Sequence, residues 1–139
     1  MHTVGTLSPS STEAARERYE EVGPAAQTVV REVAKAMAFD RAEYDERVTG
    51  DVVETARDAL FAGLLEVHVG DREEFEEWCE SVDAEVTTVG SENVDRVVWH
   101  AGPDGEAVAA TFQNEEDAAI ATLRRQVFGR LYRPLVDQS

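Results

Sequence analysis

Val52 to Asp71 reads VVETARDALFAGLLEVHVGD, and within these residues the hydrophobic period changes once. Val52, Val53, Ala56, Ala59, Leu60, Gly63 and Leu64 recur three and four apart, lining one side of a helix. Beyond them, Leu65, Val67 and Val69 alternate with Glu66 and His68, which is the spacing of a strand. A helical half therefore gives way to a sheet-bearing half at residue 65.

Toward the N terminus the signals stay helical. Ser11 or Thr12 can cap a helix that runs to Val22, where Gly23-Pro24 ends it and Pro24 suits the first turn of the next. Ala26, Val29, Val30, Val33, Ala34 and Met37 share one face of that second helix. Asp40 followed by Glu43 resembles a capping box, predicting a short third helix to Val48, and Asp51–Leu64 forms the fourth. Residues 1–11 carry little pattern and are expected to be a loosely held leader, with one extended stretch at Thr3–Leu7.

Toward the C terminus, Gly70-Asp71 opens a helix with Phe75, Trp78, Cys79 and Val82 on one face. Further strands are predicted at Glu85–Val89, Val94–His100 and Ala107–Gln113. Gly102-Pro103-Asp104-Gly105 suits a type I turn, so the last two form a hairpin. Asn114 is expected to cap a long final helix striped by Ile120, Leu123, Val127, Leu131 and Leu135. The expected fold is α+β: an N-terminal bundle of about four helices, then β-α-β-β-β-α with a four-stranded sheet. Residues 70–83 are long enough for a parallel crossover, which predicts a mixed sheet. One domain is expected over 12–136, its helical half over 12–64 and its sheet half over 65–136.

Composition bounds the setting. The 139 residues hold 29 acids and 13 bases, among which Lys35 is the single lysine, for a formal charge of −16. Such a charge forces a compact domain apart until molar salt shortens the Debye length to about 3 Å. The balance points to a salt-rich cytoplasm. The longest apolar run, Ala59 to Leu65, is far below the ~20 residues that span a bilayer, and Met1-His2-Thr3 is followed by no apolar leader core. Cys79 stands alone and can form no internal disulfide. No membrane association is expected, and the chain is read as cytoplasmic.

Strong chemical signatures are absent from the sequence: no phosphate loop, no dinucleotide fingerprint, no zinc-protease or paired-cysteine motif, no nucleophile elbow. No cofactor and no metal centre is expected from it. The best constellation lies on the sheet. Glu66 and His68 point away from Leu65, Val67 and Val69, and Arg96 and His100 point away from Val97 and Trp99. If the two strands present these residues on one face, two imidazoles, a carboxylate and a guanidinium converge. Such a group can bind an anion, hold a metal or work as a general acid and base. The plainer reading, which we prefer, is a solvated sheet face with ordinary polar residues. Cys79, on a helix face with Phe75 and Val82 and among glutamates, reads as core filler rather than nucleophile. Trp78 and Trp99 read as core or interface anchors.

The charge is also uneven. Asp71 to Glu85 holds eight acids and one arginine, whereas Ala118 to Val136 holds Arg124, Arg125, Arg130 and Arg133 and no acid. Pairing of these arginines with the acidic run, within the fold or across a dimer, is the expectation; an anion or nucleic-acid contact is the alternative. Phosphate contacts lose affinity steeply with salt, so nucleic acid is disfavoured. A winged-helix reading would make Asp51–Leu64 the recognition helix, but its charges sum to −2 and its stripe is apolar.

Taken along the chain, AAQTVVREVAKAM (residues 25–37), REEFEEW (72–78), VDRVVWHAG (94–102) and ATFQNEEDAAIATLRRQVFGRLYR (110–133), together with the helix-to-strand stretch, resemble a family of small acidic haloarchaeal proteins of uncharacterised function. The resemblance spans roughly residues 12–133. It implies a salt-adapted single unit and carries over no catalytic or binding residue. The function expected is a non-enzymatic interaction or small-ligand-binding module, with a homo-oligomer as one partner reading. The alternatives are a metal- or anion-binding protein or enzyme built on His68, His100, Glu66 and Arg96, and a nucleic-acid-associated regulator.

Overall fold

Helix starts are written in side chains that accept a hydrogen bond from the first turn. In the computed structural model, which describes residues 1–91 and 93–136, Ser11 caps α1 (Thr12–Glu21), Asp40 caps α3 (Arg41–Arg47) and Thr49 caps α4 (Gly50–Leu64). Between α1 and α3, α2 (Gly23–Ala36) carries Pro24 in its first turn, where a missing N–H costs nothing. The reciprocal capping box belongs to α5 (Arg72–Ser81). There the Asp71 carboxylate accepts from the Glu74 N–H at 2.8 Å, and the Asp71 N–H donates to the Glu74 carboxylate at 3.0 Å.

The sheet has five strands: β1 (His2–Val4), β2 (Val67–Asp71), β3 (Glu85–Val89), β4 (Arg96–Ala101) and β5 (Glu106–Phe112). Their order is β1-β2-β4-β5-β3. All neighbours are antiparallel except β3 and β5, so the sheet is mixed as predicted, and α5 carries the chain across two strands to the far edge. The fifth strand is a correction to the four expected. His2 to Val4 pair with Val67 to Val69, and Leu7 is buried against the core, so part of the expected leader is an edge strand. Its alternation was too short to register as a period. The hairpin between β4 and β5 turns at Gly102–Gly105 as the sequence predicts.

Both sheet faces are covered, which is why Val97, Val98, Trp99 and His100 are consecutively buried. On one face α5 lays Phe75 over Val97, Trp99 and Ala109. On the other, Val67, Val69, Val98 and Val108 meet α1, α4 and α6 (Glu116–Val127) in the larger core. Phe61 of α4 centres that core, with ring centroids 5.8 Å from Tyr19 and Phe128 and 5.3 Å from Tyr132. The N-terminal helices pack on one another but are not a separate bundle: α1 and α4 reach the larger core through Tyr19 and Phe61, with α4 packed on α6, while α2 packs on α4 as an outer layer.

The final helix also departs from expectation. Asn114 is not the cap: α6 begins at Glu116, its N-cap residue is Glu115, and no side-chain capping hydrogen bond is made there. After Val127 one wide π turn (Phe128–Tyr132) rotates Phe128, Leu131 and Tyr132 together into the core before α7 (Arg133–Val136).

Candidate docking face

Strand register decides the fate of the polar sheet cluster. His68 lies opposite Trp99 in the β2–β4 ladder, so it stands on the α5 face, and its ring stacks on Trp99 with centroids 5.5 Å apart. His100, one residue on, stands on the opposite face. The two imidazoles are separated by the sheet and do not converge. Glu66 stays near His68, with Oε1 3.6 Å from Nε2. Burial lowers the pKa of His68, and Glu66 only partly opposes that shift. Arg96 turns to Glu116 at 3.1 Å and stacks over Phe112.

His100 is 1% exposed. Its Nδ1 donates to the Glu66 carbonyl at 2.6 Å, which leaves Nε2 as the acceptor for the Tyr132 hydroxyl, also at 2.6 Å. Burial pushes its pKa down to about 4. It is a neutral strut between β4 and the π turn. The sequence carried no hint of this pairing, since His100 and Tyr132 lie 32 residues apart.

The four arginines are dispersed. Arg124 turns inward, donating to the carbonyls of Leu65 at 3.0 Å and Val4 at 3.3 Å, and burial lowers its pKa. Arg125 reaches Thr122, and Arg133 pairs with Asp58 at 3.5 Å while lying over Phe128. Arg130 lines a cleft with Glu85 and Glu106. Among the described residues no ion pair within the chain joins any of the four to the 71–85 run. Cys79 lies half-buried by Phe75 and Trp99, and burial, then Glu76, raises its thiol pKa.

What remains is the outer helical layer. On α2, Val29 is 43% exposed, Val33 52% and Met37 57%, and on α4 Val52 is 42% exposed. The inward side of the same helix is satisfied by Ala26, Val30 and Ala34, which are buried. A groove of about 400 Å³ runs between α2 and α4 and is closed at one end by Phe39, Val48 and the Arg47 guanidinium, which lies 5.5 Å over the Phe39 ring. Its walls are almost wholly apolar, so it offers burial rather than chemistry. The neighbouring cleft of about 450 Å³ is polar, and two of its groups are engaged within the fold: Tyr19 donates to Asp58 at 2.6 Å and Arg57 to the Tyr19 carbonyl at 2.8 Å.

The sequence displayed one stripe of Ala26, Val29, Val30, Val33, Ala34 and Met37, but a stripe does not say which of its residues its own chain covers, and here only Ala26, Val30 and Ala34 are buried. Phe39, Arg47 and Val48 were missed because the loop and short helix that bring them to the groove have no periodic signal.

Fold and face together define an α+β chain, helices on both sheet faces, with an apolar helix pair left open on the outside. The sequence model of a family of unknown function, DUF5809, matches residues 6–133, and the chain belongs to that family. No curated protein and no solved structure matches it. No helix among the described residues is long and apolar enough to cross a membrane.

Proposed function

We propose that this protein is a non-enzymatic interaction module of a salt-adapted, haloarchaeal-type cytoplasm, and that it docks an apolar protein surface on the face formed by α2, α3 and α4. The observation that carries the reading is the exposure of Val29, Val33, Met37 and Val52 on one side of a helix pair whose other side is already packed. Four large apolar side chains gathered at a groove form the kind of patch that marks an interaction site, whereas singly scattered ones would not. The acidic balance of −16 supports the salt-adapted setting, since it is tolerable mainly where salt screens it. Separation of His68 from His100 by the sheet removes the convergence that an enzymatic reading required.

An apolar fluorescent dye titrated into the chain in molar potassium chloride tests the docking face. A monomeric chain should take up dye, and Val33→Glu should abolish that uptake with the far-UV circular dichroism unchanged. A monomeric chain that takes up no dye at this face overturns the reading.

A further inference from the structure

We propose that the occupant of this face is a second copy of the same chain, related to the first by a two-fold axis; the proposal rests on the docking reading above. Shape is the first argument. Val29, Val33 and Met37 follow at four-residue intervals and form an outward ridge along α2. The same three side chains form the α2 wall of the α2–α4 groove, so the ridge is the rim of that groove. A two-fold contact uses the same patch on both copies, so it places the ridge of each against the groove of the other. A patch bearing both knob and hole is self-complementary in the way an isologous interface requires.

Charge is the second argument, and it selects the partner. Residues 23–64 hold eight acids and five bases, net −3, while the rest of the chain carries −13. A cationic partner would be drawn to the −13 remainder, above all to the 71–85 run, rather than to this face. An equally acidic copy meets the least repulsion here. The segment also carries both signs, with Arg31, Lys35 and Arg47 interspersed among Glu32, Asp45 and Asp51, so a two-fold can set cation against anion at the rim.

Area sets the strength of the contact. With 14 and 15 residues, α2 and α4 are each a little over 20 Å long at about 1.5 Å per residue. Set side by side about 10 Å apart they offer a footprint of about 400 Å² before side-chain relief is counted. That footprint lies below the ~800 Å² per partner of standard interfaces, in the range of weak, reversible contacts. Because two copies of charge −16 must approach, the dimer forms in molar salt and separates on dilution.

Gel filtration with light scattering in molar potassium chloride reads the mass. The expected result is twice the 15.3 kDa chain. Val33→Glu and Met37→Glu should each return the mass of one chain with native circular dichroism, since both positions are more than half exposed. Glu73→Lys on α5 should leave the mass at two chains. A dimer that survives both ridge substitutions overturns the proposal. So does a monomeric wild-type chain, and the dye then separates the two readings: uptake at the face leaves the docking function standing with a foreign partner, and no uptake removes both.

Discussion

Tyr132 donates its phenolic proton to Nε2 of His100 across 2.6 Å, from the inner side of a π turn to the centre of a buried strand. Because Nδ1 of the same ring donates to the Glu66 carbonyl, His100 is held as one neutral tautomer with both nitrogens satisfied. Charging it would replace an acceptor by a second donor facing a hydroxyl, in a site from which water is excluded.

Acid should therefore weaken the fold in a defined window. The unfolded chain binds a proton at His100 near the ordinary value of 6.5, whereas the folded chain resists until about pH 4. Stability is present in full above 6.5 and declines as pH falls toward about 4, by up to about 3 kcal/mol for this one group. The lowered pKa of His68 acts in the same direction. Denaturant midpoints measured in high salt across this range should fall, and less steeply in His100→Gln. A flat profile would contradict the neutral strut. Tyr132→Phe should cost about 1–3 kcal/mol at neutral pH through the unpaired nitrogen.

Gly5 should tolerate no side chain. Its φ is +91°, and a Cβ there would stand 2.5 Å from the Leu65 carbonyl oxygen and 2.6 Å from Nη2 of Arg124. Gly5→Ala combines about 1–3 kcal/mol of backbone strain with displacement of the guanidinium that ties β1 to the start of the sheet. Thermal unfolding should show a marked drop. A midpoint equal to wild type would refute the close approach.

Trp99→Ala should cost about 3–5 kcal/mol, because the ring is fully buried with Phe75 at 5.1 Å and Trp78 at 5.9 Å. Near-UV circular dichroism should lose most of its tryptophan signal, since the two indoles pack on each other. Retention of that signal would place the chromophore elsewhere.

Dilution from molar salt should loosen the chain. At −16 the carboxylates repel one another over a Debye length of about 10 Å at 0.1 M salt, against about 3 Å at 1 M. Far-UV ellipticity should fall on dilution and return when salt is restored. An unchanged spectrum would argue against salt adaptation.

The sequence was a good guide wherever a period was long. The extent of α4, the alternation Val67-His68-Val69, the hairpin at Gly102–Gly105 and the caps at Ser11 and Asp40 all lie where their residues indicate, but the residues that α4 buries are Phe61 and Ala62, outside the stripe read from Val52 to Leu64. It placed an extended stretch at Thr3–Leu7 but not the pairing that makes His2–Val4 a fifth strand, and it failed for Asn114, whose capping preference was not used. At the site it left open whether His68 and His100 share a face, and its preferred reading of a solvated sheet face fails at His100, which is buried. Alternation assigns His68 and His100 to faces of their own strands; only the pairing of His68 with Trp99 relates one strand to the other.

Local chemistry therefore determined the elements and the order in which they occur, because propensity, capping and turn geometry act over a few residues. Charge likewise follows from composition alone. Which stripes are covered, which histidine faces which helix, and that Val29, Val33 and Met37 remain outside were settled by packing between elements far apart in the chain. Helix α4 illustrates the reason: Val52, Ala56 and Ala59 line the groove toward α2 while Phe61 and Ala62 enter the core, and only the finished arrangement of layers shows where burial ends.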